Sequence, residues 1–137
     1  MVCEGGMTLV IRLPFPNPAL FPNKRAGKSW KASHEAKVES REWARKATNQ
    51  ALEAMNQVPE YLGSIPVSIV FVAPDKRRRD LDGCLSASKH ALDGMAKALN
   101  VDDSRFKPIL INYIHGDKPG AMLVAVGVQI TTTQVIE

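Results

Sequence analysis

Apolar and polar positions along the chain follow two different periods, and the switches between them mark out its elements. A period of two runs from about Met7 to Leu13. It returns where Ile65, Val67, Ile69 and Phe71 interleave with Pro66, Ser68 and Val70, the pattern of a half-buried strand. Between these strands Ala36, Trp43, Ala47, Ala51, Leu52 and Met55 recur at threes and fours. They predict a helix from a Ser33 N-cap to about Asn56, with Glu35 in its first turn where the helix dipole favours an anion. Leu85, Ser88, Leu92, Met95, Ala96 and Leu99 repeat that spacing and predict a second helix from about Asp82, closed by Asn100. Strands three and four are expected over about Pro108 to His115 and Met122 to Thr132, with Gly116-Asp117-Lys118-Pro119-Gly120 between them reading as a hairpin turn. The order β-α-β-α-β-β predicts an α+β fold, a single two-layer domain with a four-stranded mixed sheet and two helices on one face.

Composition narrows this picture. The chain has 137 residues, 45% of them hydrophobic, which is enough for one core and one domain over residues 1–137, with 1–6 reading as a flexible leader. No apolar run approaches the roughly 20 residues of a membrane span, and the N-terminus lacks the basic and apolar regions of a secretory signal, so a cytoplasmic protein without a membrane partner is expected. Cys3 and Cys84 stand in unrelated contexts, without the spacing of a disulfide framework or a zinc site. The net charge of +4 is modest, so its distribution matters more than its sum, and most of the cations precede residue 80. Pro14, Pro16, Pro18 and Pro22 deny the backbone its donors and predict a stiff extended loop after the first strand.

Two segments concentrate the charge. Lys24, Arg25, Lys28 and Lys31 surround Gly27 and Trp30, a composition that suits a phosphate backbone with one base or sugar contact, or equally a solvated loop whose tryptophan tucks into the core. Then Asp75 is followed by Lys76-Arg77-Arg78-Arg79 and at once by Asp80-Leu81-Asp82-Gly83, on the connection between the second strand and the second helix. Four cations beside two carboxylates repel within each group, and each half calls for a counter-charge. A phosphodiester with a divalent cation supplies both. Asp80 and Asp82 are two apart, so in an extended segment they point the same way and can share one cation. Hard oxygen ligands without nearby Cys or His favour magnesium, or manganese, over zinc. Asp102 and Asp103 lie one helix downstream, about 27 Å at 1.5 Å per residue. They converge with Asp80 and Asp82 only in a dimer, or if the chain after Asn100 folds back along the sheet. The plainer reading makes Asp82 an N-cap and Asp102-Asp103 an exposed turn. His34, His90 and His115 are scattered and receive no role, while Cys84, beside the acidic motif, reads as a small buried residue.

The run Asp75-Lys-Arg-Arg-Arg-Asp-Leu-Asp-Gly, then Lys89-His-Ala-Leu-Asp-Gly-Met95, then Asn100-Val-Asp-Asp-Ser-Arg-Phe106, resembles the RusA family of Holliday junction resolvases, and the likeness runs from about Met7 to Ile130. The resemblance implies a magnesium-dependent homodimeric endonuclease that cuts four-way DNA junctions symmetrically in recombination and repair. By position, Asp80, Asp82 and Asp103 match the family's catalytic, metal-binding carboxylates, Arg79 a family basic residue, and Lys89 the catalytic lysine. Phosphate contacts would fall to Lys24, Arg25, Lys28, Lys31, Lys76, Arg77, Arg78 and Arg79. Two departures stand out: Gly83 replaces the family's usual asparagine, and the interval from Asp82 to Lys89 is longer by nearly one helical turn. They leave room for a catalytically weakened protein that binds branched DNA. A nucleotide phosphohydrolase is the third reading, weakened by the want of a Gly-rich phosphate loop.

Overall fold

The computed structural model describes residues 8–22, 30–55 and 59–127. The expected architecture is present: strand β1 (Leu9–Leu13), helix α1 (Trp30–Glu53), strand β2 (Ile65–Ala73), helices α2 (Leu81–Ala87) and α3 (Lys89–Leu99), and strands β3 (Phe106–His115) and β4 (Ala121–Val126). One mixed sheet runs in the order β1-β4-β2-β3. Ile65, Val67, Ile69 and Phe71 are all buried, and they meet Leu9, Ile11 and Leu13 of β1, Val124 and Val126 of β4, and Leu92 and Met95 of α3 in one core. The opposite face of the sheet is the more open one, with Val10, Leu110 and Ile114 exposed.

Several expectations change. The predicted β3–β4 hairpin does not form. β3 pairs parallel to β2, with Ala73 opposite His115, whereas β4 inserts antiparallel between β2 and β1. The turn therefore carries the chain across the end of β2. It passes so close that a Cβ on Gly120, whose φ is +76°, would lie 2.7 Å from the Val72 carbonyl oxygen, which leaves glycine as the fitting residue. The parallel β2–β3 pair needs a long crossover, and α2 with α3 provides it.

α1 begins at Trp30, so Ser33 lies inside the helix and Glu35 beyond its first turn. That first turn buries nothing, so it left no apolar period to read. Trp43, placed on the inward stripe, is 46% exposed, and Ala36, Ala44 and Thr48 face inward instead. Thr48 satisfies its hydroxyl by donating to the Ala44 carbonyl at 2.7 Å. Small residues suit this face because α1 crosses α3 closely: a Cβ on Gly94 would run into the Arg41 carbonyl. The second helix is two segments. It breaks at Ser88, whose hydroxyl donates to the Leu85 carbonyl at 2.7 Å, and α3 ends at Asn100 in the left-handed conformation, φ 61°.

Candidate nucleic-acid interface

The basic run leaves the C-terminal end of β2 as a loop that is organised from within. Asp75 accepts from the Arg77 amide at 2.9 Å and from both terminal nitrogens of Arg79 at 3.0 and 3.2 Å. Arg79 also donates to the Tyr113 hydroxyl at 3.2 Å, and that hydroxyl donates to the Arg77 carbonyl at 3.1 Å. His115 Nδ1 lies 3.0 Å from the Asp75 carbonyl oxygen. On its other side the Arg79 guanidinium sits 5.0 Å from the centre of the Phe15 ring. The Arg79 hydrogen bonds hold the Asp75 carboxyl below its ordinary range, and the same pair raises Arg79.

The four cations thus divide into two kinds. Arg79, with its side chain 14% exposed, is committed to Asp75, Tyr113 and Phe15 and shapes the loop. Lys76, Arg77 and Arg78 point outward and are exposed, with Arg77 at the looser distance of 3.5 Å from Asp75. Counter-charge for the run comes in part from Asp75, which the spacing alone did not reveal. Tyr113, His115 and Phe15 were missed as well. Their roles depend on contacts across 34 or more residues, or on an aromatic inside a proline loop, and no local period marks either.

Asp80 follows at the N-cap of α2 in extended conformation, but its side chain makes no capping bond, and Asp82 already lies within the first helical turn. The N-cap position belongs to Asp80 rather than Asp82. Both side chains are exposed. Their two-residue spacing crosses from extended to helical backbone, so the alignment expected of a fully extended segment does not apply. Cys84 is fully buried, and burial pushes its thiol pKa up, which makes it a poor nucleophile. Lys89 is exposed at the start of α3, two turns beyond Asp82, or about 10 Å at 1.5 Å per residue.

Asp102 caps a short 3-10 turn, Asp103–Arg105, by accepting from the Ser104 amide at 2.9 Å, and this bond lowers its pKa. Asp103 is exposed beside it. The chain does fold back along the sheet here, as β3, but from the far end. Phe106 pairs with Ile65 at the start of β2, whereas Asp80 follows its end. At about 3.3 Å per residue, the two acidic sites lie roughly 25 Å apart within the chain. Among the described residues, no three His, Cys, Asp or Glu side chains come together to hold a metal ion.

Lys24, Arg25 and Lys28 lie outside the described residues, and Lys31 is exposed. Trp30 is 79% exposed and stacks on His34, with ring centres 5.3 Å apart, so its indole does not tuck into the core. Beside the basic loop a cleft of about 560 Å³ opens, lined by Phe15, Phe21, Arg77, Arg78, Asp80 and Gly83 among others. Compared with known proteins, the chain matches no family model and no curated sequence. None of its described helices is long and apolar enough to cross a membrane.

Proposed function

We propose that the chain is a magnesium-dependent, structure-selective DNA endonuclease that resolves four-way junctions as a homodimer in the cytoplasm. The observation that carries this reading is the loop itself: a braced turn that presents Lys76, Arg77 and Arg78 to solvent and runs directly into exposed Asp80 and Asp82. Outward cations on a fixed backbone suit a polyanion, because phosphate contacts then cost little ordering of the protein. The paired carboxylates offer hard oxygens fit for magnesium or manganese, and a bound metal would polarise a phosphoryl oxygen and lower the pKa of a coordinated water. Arg77 and Arg78 would hold neighbouring phosphates beside the cut, and one of the outward cations would neutralise charge developing on the scissile phosphate. The motif resemblance narrows DNA to branched DNA.

The separation of Asp103 from Asp80 and Asp82 is what favours a homodimer in this reading. β3 is an edge strand of ten residues with no charge between Lys107 and His115, and edges of this kind invite pairing with another chain. Two copies of β3 paired antiparallel about its middle would set the start of one strand beside the end of the other. Asp103 of the partner subunit would then lie at the end of the sheet from which Asp80 and Asp82 project. Two such composite sites, related by a two-fold axis, suit symmetric cleavage.

A second reading, a branched-DNA-binding protein without catalysis, is favoured by one observation: a single protomer does not gather its three carboxylates. The test is incubation of the purified protein with a labelled four-way junction and a linear duplex, with magnesium and with chelator. Paired nicks in the junction alone, lost with chelator and in Asp82→Asn, are expected. Tight junction binding without nicking under magnesium or manganese would overturn the nuclease and leave the binding protein.

A further inference from the structure

The cleft beside the basic loop has the make-up of a ligand site, and the phosphate contacts proposed above do not use its interior. Its volume of about 560 Å³ falls within the roughly 300–1,000 Å³ of small-ligand pockets. Phe15 and Phe21 both line it, their rings stacked 24° from parallel with centres 6.3 Å apart, and the Arg79 guanidinium lies over the Phe15 ring. Arg77 and Arg78 stand at the cleft beside Asp80, and Gly83 lines it. A Cβ on Gly83 would rest 3.5 Å from the Phe21 ring, an ordinary contact. The backbone tolerates a methyl group there, but a longer side chain would press on the Phe21 ring. Flat apolar rings beneath exposed guanidinium groups match a flat aromatic ligand that carries a phosphate on either side.

We propose that this cleft receives one unpaired nucleobase of the branched DNA, stacked against the Phe21 side of the Phe15–Phe21 pair, with its flanking phosphates on Arg77 and Arg78. The proposal rests on the DNA-endonuclease reading above and adds to it a basis for choosing branched over continuous duplex. A paired and stacked base cannot enter the cleft. Swinging one out of an intact helix breaks its pairing and stacking, and costs least where pairing is already broken, as at a branch point. Base capture next to Asp80 would also fix the strand whose backbone lies nearest the acidic residues.

The experiment measures anisotropy of a fluorescein-labelled short oligothymidylate and of an abasic oligomer with the same number of phosphates, both in chelator so that nothing is cut. The wild-type protein is expected to bind the base-bearing strand about tenfold more tightly, in line with one stacked base. Gly83→Leu, whose side chain crowds the Phe21 ring and the space beside it, is expected to bring the two affinities together. Phe21→Ala, which removes part of the wall instead of filling the space, is expected to do the same. Trp30→Ala, which removes a rival exposed aromatic that does not line the cleft, is expected to keep the discrimination. Equal wild-type affinity for the two strands would overturn the proposal, and so would discrimination that survives both cleft variants or vanishes in Trp30→Ala. Junction cleavage is scored separately. A protein that nicks junctions without preferring bases loses only the cleft proposal, whereas one that prefers bases through the cleft but never nicks keeps it and loses the nuclease.

Discussion

Arg79 closes on Asp75 through two parallel hydrogen bonds, Nη1 to Oδ1 at 3.0 Å and Nη2 to Oδ2 at 3.2 Å, and so withdraws one charge from a run of four cations. Arg77 touches the same carboxylate only at 3.5 Å and, with Lys76 and Arg78, stays exposed to solvent. Arg77→Ala and Arg78→Ala should each flatten the dependence of log affinity on log salt by about 1, the loss of one phosphate contact. Arg79→Ala should leave that slope almost unchanged, because Asp75 already balances the charge, yet lower the melting temperature by unbracing the loop from Tyr113 and Phe15. Titrations of junction binding at several salt concentrations, with melts of the same variants, check both halves. An Arg79 slope change as large as that of Arg77 would show that the guanidinium leaves Asp75 to meet DNA.

The same contrast shows what the sequence could disclose. The alternation in β2 and the apolar stripe of α3 are local periods, and Ile65, Val67, Ile69, Phe71, Leu92 and Met95 are buried as those periods require. The Pro and Gly breaks placed the loops. Strand partnership is not local: whether β4 pairs with β3 or slips between β1 and β2 depends on which apolar edges need covering, and the Gly116-Asp-Lys-Pro-Gly120 turn suits either course. Arg79 was legible as a cation but not as a brace, since its partner Tyr113 lies 34 residues away. Trp43 misled for a related reason. The close α1–α3 crossing over Gly94 requires small residues inward, so Ala44 and Thr48 displaced the larger apolar side chain.

The separation of Asp82 and Asp103 makes a prediction about subunits. If each site takes Asp80 and Asp82 from one protomer and Asp103 from its partner, Asp82→Asn and Asp103→Asn homodimers should both be inactive. A mixed dimer of the two variants should recover one complete site, because one site receives both substitutions and the other receives neither. Single nicks should then appear at up to half the rate per dimer of the wild-type protein. Mixed dimers that stay inactive, when native gels show that subunits have exchanged, would place all three carboxylates in one chain.

Gly94 sits where α3 passes under the backbone of α1, and a methyl group there meets the Arg41 carbonyl rather than a side chain that could swing aside. Ala is the better helix former by about 1 kcal/mol, so propensity alone would make Gly94→Ala stabilising. Overpacking of a close contact typically costs about 1–3 kcal/mol, and two helix backbones cannot yield as a flexible side chain can. The collision should therefore win. Gly94→Ala is expected to lower the urea midpoint with little change in slope, whereas a raised midpoint would mean that the crossing is looser than described.

His90 faces the same crossing and should make stability depend on pH. Arg41 Nη2 lies 3.2 Å from His90 Nδ1, and because a guanidinium can only donate, the imidazole nitrogen must accept and carry no proton. Burial, followed by the positive charges of Arg41 and Lys37 on α1 and Lys89 on α3, pushes the His90 pKa below its ordinary 6.5; Asp93, paired to Arg41 at 2.8 Å, opposes them only in part. A histidine depressed in the folded state binds its proton more readily when unfolded. Its contribution to stability is therefore complete above about pH 6.5 and is lost as the pH falls through the folded value. Melting temperatures from pH 8 down to pH 5 should fall more steeply for the wild-type chain than for His90→Gln, whose amide can still accept from Arg41 but does not titrate. Carboxylates that titrate in both proteins cancel from the difference, so two parallel curves would show that His90 does not couple protonation to the α1–α3 contact.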